Sequence, residues 1–420
     1  MTTRRTAAAV ALTAVAALTA GCGGGGAAGD DDDQPVAVDY WLWQDDATDP
    51  VWEELADRFN AEQDDVRVRL TTVPLEQYQD RLLTAAASGT APCAARSKDW
   101  WLGQLAPQGV LADLTDRVAA WDGADDVIDG LWDTGRLPGE DAVYMLPHQY
   151  VTIWLYYNAA HLEQAGVEPP RTQQEFLDAA AALTDRQAGR YGFDVRGGAG
   201  GQDQWIAWMF AGGADVVDDA GRVVIDSPEA VAANERYLSV VTGLDAAPPG
   251  SSTAAFAQVQ TNFAAGTTSM MMHHPGSLGA MREALGDDLG VLPVPVADGA
   301  EPSTLTSMSG NVVLSSCPDQ DAAFAWVSWL ATEDPMSTMS TSGEGQLPVL
   351  ESVAAAEPFS TDRDLGLAID AARTAKSWPA LPGVAHLAAT EFQTQVQIAL
   401  QGQQTGAEML GRLADLLAED

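Results

Sequence analysis

The sequence predicts an α/β protein built as two domains, and three observations carry the prediction. Runs of period-two hydrophobicity are separated by runs at helical spacing, which is how strands and helices alternate around mostly parallel sheets. The chain has 420 residues, more than the roughly 250–300 that one hydrophobic core usually serves. Hydrophobic residues make up 46% of it and charged residues 19%, a globular rather than a disordered composition.

The first residues address the chain rather than fold it. Arg4 and Arg5 precede an apolar run over residues 7–20, which ends in the small residues Gly21 and Cys22. A charged start, an apolar middle and a small-residue end make a secretory signal, and the run falls short of the roughly 20 residues that cross a bilayer as a helix. Leu18-Thr19-Ala20-Gly21-Cys22 resembles a bacterial lipobox, with one departure: Leu18 stands a place further from the cysteine than usual, and Thr19 fills its slot. The resemblance implies that residues 1–21 are removed as a signal peptide and that Cys22 is acylated. The protein would then sit at the extracellular face of the cell membrane, touching it only through the lipid. Residues 22–34, glycine-rich and then aspartate-rich, bury nothing and read as a flexible tether.

Acidic residues outnumber basic ones 60 to 21, for a net charge of −39. Such a surface repels nucleic acid and anionic lipid, which excludes a nucleic-acid partner and a polybasic membrane patch.

Folding begins near Pro35. Val36, Val38, Tyr40 and Leu42 alternate with Ala37, Asp39, Trp41 and Trp43, the period of a strand. Asp49 caps a helix that has Pro50 at its first position and Trp52, Leu55 and Phe59 on one face. Residues 66–73 alternate again, and strand patterns recur at residues 94–98 and after Tyr191. Thr172 with Glu175 three places on forms a capping box, and Ser227-Pro228-Glu229 opens another helix in the same manner. Residues 298–311 and 340–350, rich in Gly, Ser, Thr and Pro, read as crossings between domains.

In order along the chain stand Gly89-Thr90-Ala91-Pro92, Tyr144-Met145-Leu146-Pro147, Leu155-Tyr156-Tyr157-Asn158, Ala165-Gly166-Val167, Phe263-Ala264-Ala265-Gly266, Leu292-Pro293-Val294-Pro295 and Gly345-Gln346-Leu347-Pro348. Together these landmarks resemble the extracellular solute-binding family that serves carbohydrate ABC importers, the family of the maltose-binding protein. The resemblance implies a two-lobe, periplasmic-binding-protein-like (type II) fold closing like a hinge on a sugar, an oligosaccharide. Lobe 1 would be residues 35–149 with 308–347, and lobe 2 residues 150–307 with 348–420. It further implies a monomer that hands its sugar to membrane permease subunits, with no cofactor, no metal and no catalysis.

Sugars present apolar C–H faces and rings of hydroxyls, so their sites pair flat aromatic side chains with carboxylates and amides. At the ends of the first and third strands, where ligands of open α/β sheets bind, stand Trp43, Gln44 and Asp45, then Lys98, Asp99 and Trp100. Gln149 and Tyr150 are hinge candidates. The glycine tract at residues 197–201 lacks the Gly-Lys-Ser/Thr ending of a phosphate loop and reads as a flexible loop bringing Trp205 or Trp208 to the cleft. The resemblance nominates His273 and His274. Ser309 and Asn311 lie at the second crossing, and Trp378 lies in the loop before the last helices. The pair Trp100 and Trp101 is expected to divide, one in the cleft and one buried.

Other chemistries have less behind them. No Gly-x-Ser-x-Gly elbow occurs, and a secreted glycosidase would rest on no specific carboxylate pair. The five histidines are scattered, which speaks against a zinc site. A polyol phosphate would call for clustered arginines; it and a polyamine are the alternative ligands on the same fold. In the family the strand returning after the second crossing pairs antiparallel beside the third. That implies a disulfide between Cys93, at the start of the third strand, and Cys317, past the end of the returning one, in an exported and oxidising setting.

Overall fold

A computed structural model describes residues 34–44, 48–218, 220–343 and 346–418. The expected signal sequence over residues 1–21, Cys22, the expected tether except its last residue, and Asp45 lie outside these residues.

Two sheets organise the chain from Val36 onward. The first has six strands in the order β10-β4-β9-β3-β1-β2, where β1 is Val36–Leu42, β2 Val66–Thr72, β3 Ala94–Lys98, β4 Leu146–Thr152, β9 Thr306–Val313 and β10 Leu347–Pro348. The second has four in the order β6-β7-β5-β8, with β5 Trp154–Asn158, β6 Tyr191–Phe193, β7 Thr268–His273 and β8 Leu289–Pro293. The alternation read in residues 36–43 is the observed burial pattern: Val38, Tyr40 and Leu42 are buried in the core. The strand pairs in parallel with both β2 and β3, which the intervening helix Val51–Glu62 makes possible as a crossover. That helix starts one residue later than expected, with Pro50 at the cap, yet Asp49 still accepts from the Val51 amide at 2.9 Å. Both arms of the Thr172–Glu175 capping box are made.

Thr152 ends β4 in the first sheet and Trp154 begins β5 in the second, so the chain changes sheets at Ile153. It returns before Thr306, where the Thr304 hydroxyl donates to the Ile153 carbonyl at 2.7 Å. A third passage runs beside these, Leu305 bridging to Lys376 in parallel. The expected crossing at residues 340–350 does not occur there. Leu347–Pro348 instead pairs with β4, and Leu350, Val353 and Ala354 are buried in the core around the first sheet. The expected lobe boundaries at 149/150, 307/308 and 347/348 accordingly fall inside first-sheet strands. Because β3 and β4 run parallel, each antiparallel to β9, the passage at Ile153 brings the carboxyl ends of β1, β3 and β4 to face those of β6 and β7. This is where ligands bind in such sheets.

Cys93 and Cys317 are joined by a disulfide. It closes the far end of the β3–β9 pair, opposite Lys98.

Candidate ligand-binding site

The site grows out of the end of β3. Lys98 closes the strand, and Asp99 opens a short 3-10 turn, Asp99–Trp101. Asp99 is 2% exposed; its Oδ1 accepts from the Trp100 amide at 3.0 Å, while Oδ2 has no partner among the described residues. A buried acceptor left open costs free energy unless a ligand or water meets it. Burial pushes the carboxyl up to about 7, against the pull of the Met308 and Trp100 amides and the Lys98 ammonium. Lys98 Nζ donates to Ser309 Oγ at 2.8 Å and stands 5.1 Å from the Trp43 ring.

The opposing wall comes from the second sheet. Arg196 follows β6, and Asp203 lies in the first turn of the helix Gly201–Ala211. Burial raises the Asp203 carboxyl, while the charges of Arg196 and Lys98 pull it back down. Asp203 adds the smallest of the upward pushes on Asp99, so a carboxyl that follows β6 lies within electrostatic range of the one that follows β3. Beside them His273 ends β7, 2% exposed, with its Nδ1 2.7 Å from Ser277 Oγ. Burial, then the neighbouring His274 and Arg196 charges, hold its pKa well below the usual imidazole value, so it is neutral near pH 7. Phe256 stacks on His274 at 5.6 Å under the Arg196 guanidinium at 5.7 Å. At 36% exposed it is one of the few large apolar side chains in the open.

The candidates read from sequence separate into three groups. Lys98 meets Ser309, Asp99 and Trp378 line one cavity, His273 and His274 lie ring to ring at 4.3 Å, and Trp100 packs against the cores of both sheets. Trp43 stands behind the site rather than offering a free face. It is 1% exposed, with Arg96 over its ring at 4.3 Å and Trp101 and Tyr78 edge-on to it. Gln44, next to it, is half-buried. Gln149 and Tyr150 are fully buried in β4, and Arg96 donates to Gln149 Oε1 at 3.4 Å. Asn311 is likewise in the core, accepting from the Tyr40 hydroxyl at 2.6 Å.

Trp205 and Trp208 correct the expectation for the glycine tract. Both indoles are at most 1% exposed, and their N–H groups are taken inside the core by Asn234 Oδ1 and the Ala233 carbonyl, each at 2.9 Å. The tract is not a swinging loop. A Cβ on Gly197 or Gly198 would lie 2.4 or 2.5 Å from the backbone oxygens of Ser252 and Thr253, so these glycines let two backbones pack. Sequence reasoning missed Arg196, Asp203 and Phe256. Asp203 had left a trace as the one charged residue in 197–211.

Residues 45–337 match the family described as bacterial extracellular solute-binding protein. The chain belongs to that family. A binding protein of Brucella abortus (strain 2308) is 24% identical to this solute-binding protein over 340 residues, covering 80% of this chain and 81% of the relative. The maltotriose-binding protein of Pyrococcus abyssi is 23% identical over 320 residues, covering 72% and 64%. The GacH receptor of Streptomyces glaucescens, solved unliganded and with acarbose, superposes with a TM-score of 0.78 at 23% identity, covering 92% of this chain and 99% of that one. The fold of the solute-binding protein is thus that of the two-lobe sugar receptors, and the match reaches both sheets.

Proposed function

We propose that this solute-binding protein captures a neutral sugar between its two sheets and presents it to the permease subunits of an ABC importer. It acts as a monomer held at the outer face of the cell membrane by a lipid on Cys22. The lobes divide at the passages near Ile153, Leu305 and Lys376. The observation that carries the reading is the balance of charge among the described residues at these strand ends: two carboxyls, Asp99 and Asp203, within electrostatic range of two cations, Lys98 and Arg196. Hydroxyls donate and accept, so they satisfy both signs without bringing a charge of their own. A phosphate would meet two carboxylates, and a polyamine two cations. Phe256 with His274 offers a flat apolar surface for a ring's C–H face. The relatives that bind maltotriose and acarbose point to the same chemistry.

Thermal unfolding of the soluble domain against a panel of mono- and oligosaccharides tests the reading, because a ligand that binds only the native state raises Tm with its concentration. A saturable rise with a sugar is expected. A rise with a polyamine, a phosphorylated polyol or a divalent metal, and with no sugar, would overturn it.

A further inference from the structure

The helix Arg363–Ala372 lies on the far side of the passages from the cleft. In the first sheet β3 and β1 lie to one side of β9 and β4, and β10 to the other; in the second, β7 and β6 lie to one side of β5, and β8 to the other. The helix packs against β8 and β4 with Ala368, Ile369 and Ala372 buried. The Thr152 hydroxyl, next to the passage at Ile153, donates to the Ala368 carbonyl at 3.4 Å. Each end of the helix is tied to a different sheet. At its start, Arg282 donates from Nη1 to Asp362 Oδ2 at 2.5 Å and from Nη2 to Asp362 Oδ1 and Asp364 Oδ2, both at 2.8 Å. Arg282 stands in the helix Leu278–Leu285, which falls between β7 and β8 in the chain and packs on β8. Asp362 also caps the helix Arg363–Ala372 by accepting from the Asp364 and Leu365 amides, so a pull on its carboxylate is a pull on the helix. At the other end, Arg373 donates through both Nη atoms to Glu351 at 3.1 and 3.2 Å, and Glu351 opens the short helix Glu351–Ala354, which packs on β10. The flanks are held less closely. Ile153, Thr304 and Ala371 line a cavity of about 230 Å³ between the helix and the passages, and a groove of about 460 Å³ runs between Ile369 and Ala354.

We propose that this helix is a strap behind the hinge, and that the arginine forks at its two ends hold the empty protein with its cleft open. The inference rests on the capture between two sheets proposed above and adds the element that sets how far the cleft stands open. A rotation about the passages that brings the carboxyl ends of β3 and β7 together parts the groups behind the passages. A helix pinned to both sheets resists that parting, so one fork has to lengthen for the cleft to close. Bidentate arginine–carboxylate pairs are the ion pairs near a surface that contribute measurably. A sugar that needs the closed arrangement binds with an affinity reduced by the small fraction of molecules already closed, and loosening the strap raises that fraction. Salt screens the forks, so it should strengthen the binding of a ligand that carries no charge.

Small-angle scattering of the unliganded protein, with calorimetric titration of maltotriose at low and high sodium chloride, tests it on the wild type, Arg282→Gln and Glu351→Gln. The two side chains are 42% and 44% exposed, and a cooperative unfolding transition will show that the variants fold. Each unliganded variant is expected to be more compact than the wild type and to bind maltotriose about two- to fivefold more tightly at low salt. Raising salt to about 1 M should bring the wild type towards the variants and leave Arg282→Gln nearly unchanged. An unchanged radius of gyration together with unchanged or weaker binding in both variants would overturn the strap. Should neither variant fold, the salt series on the wild type decides, and an affinity that stays level or falls with salt would overturn it. Failure of the wild type to bind maltotriose would count against the sugar reading, while the radii of the unliganded variants would still decide the strap.

Discussion

Cys93 and Cys317 are bonded with their Cα atoms 4.6 Å apart and at a separation of 224 in sequence, while the opposite end of the same strand pair carries Lys98 against Ser309. The disulfide and the site therefore sit at the two ends of β3. Constraining so long a loop in the unfolded chain contributes about 2–4 kcal/mol. Replacing both cysteines by serine should lower the urea midpoint accordingly and leave sugar affinity within about twofold. A tenfold loss of affinity at unchanged stability would show instead that the bond shapes the cleft.

Asp99 should make stability of the unliganded protein depend on pH. Its carboxyl titrates near 7 when folded, against 3.8 for an unperturbed aspartate, so between those values the folded state holds a proton that the unfolded state has released. Stability from this group is present below about pH 4 and is lost as pH rises to 7, by an amount on the order of a few kcal/mol. His148, buried and pushed down to about 3, acts oppositely, since acid protonates the unfolded imidazole first and stability falls as pH drops from 6.5. Asp194 and Asp203, also raised by burial, add to the first trend, and His161 and His273, also lowered by burial, add to the second. The difference between wild type and Asp99→Asn isolates the share of Asp99, and it should fall from pH 4 to 7 in denaturation curves; a flat difference would remove Asp99 from the account.

Trp208 is a core residue, so Trp208→Ala should cost about 3–5 kcal/mol of stability. Loss of affinity with no change in the denaturation midpoint would return the residue to the cleft.

A ligand held by groups from both sheets favours the closed arrangement by the contacts it makes only there. Small-angle scattering should show a smaller radius of gyration at saturating sugar. An unchanged radius would argue against motion about the passages at Ile153 and Leu305.

Strands were legible because alternation is local. Residues 94–98 are β3 to the residue, and the capping box at Thr172 needed only four positions. The position of Lys98 and Asp99 at the carboxyl end of β3 was legible for the same reason, since it follows from where the strand stops. The tryptophans were not. Trp43, Trp205 and Trp208 differ from cleft indoles only in what covers them, which is Arg96 for the first and the Ala233–Asn234 helix for the others. The helix Gly201–Ala211 is buried on nearly every side from Gln204 onward, so its sequence has no polar face to say which way it points. Asp203 lies in the first turn, ahead of that stretch, and is half-buried. The third passage at Lys376 was hidden because Leu347–Pro348 is a strand of only two residues, too short to show a period.

Calorimetric titration of wild type, Asp99→Ala and Asp203→Ala with the sugar that most raises Tm is the most direct test of capture between the sheets. One site per chain is predicted in the wild type, with each substitution, one from either sheet, weakening it by at least tenfold while the variants keep a cooperative unfolding transition. Undiminished binding in both variants would contradict the account, because the sugar would then lie outside the cleft these carboxyls share.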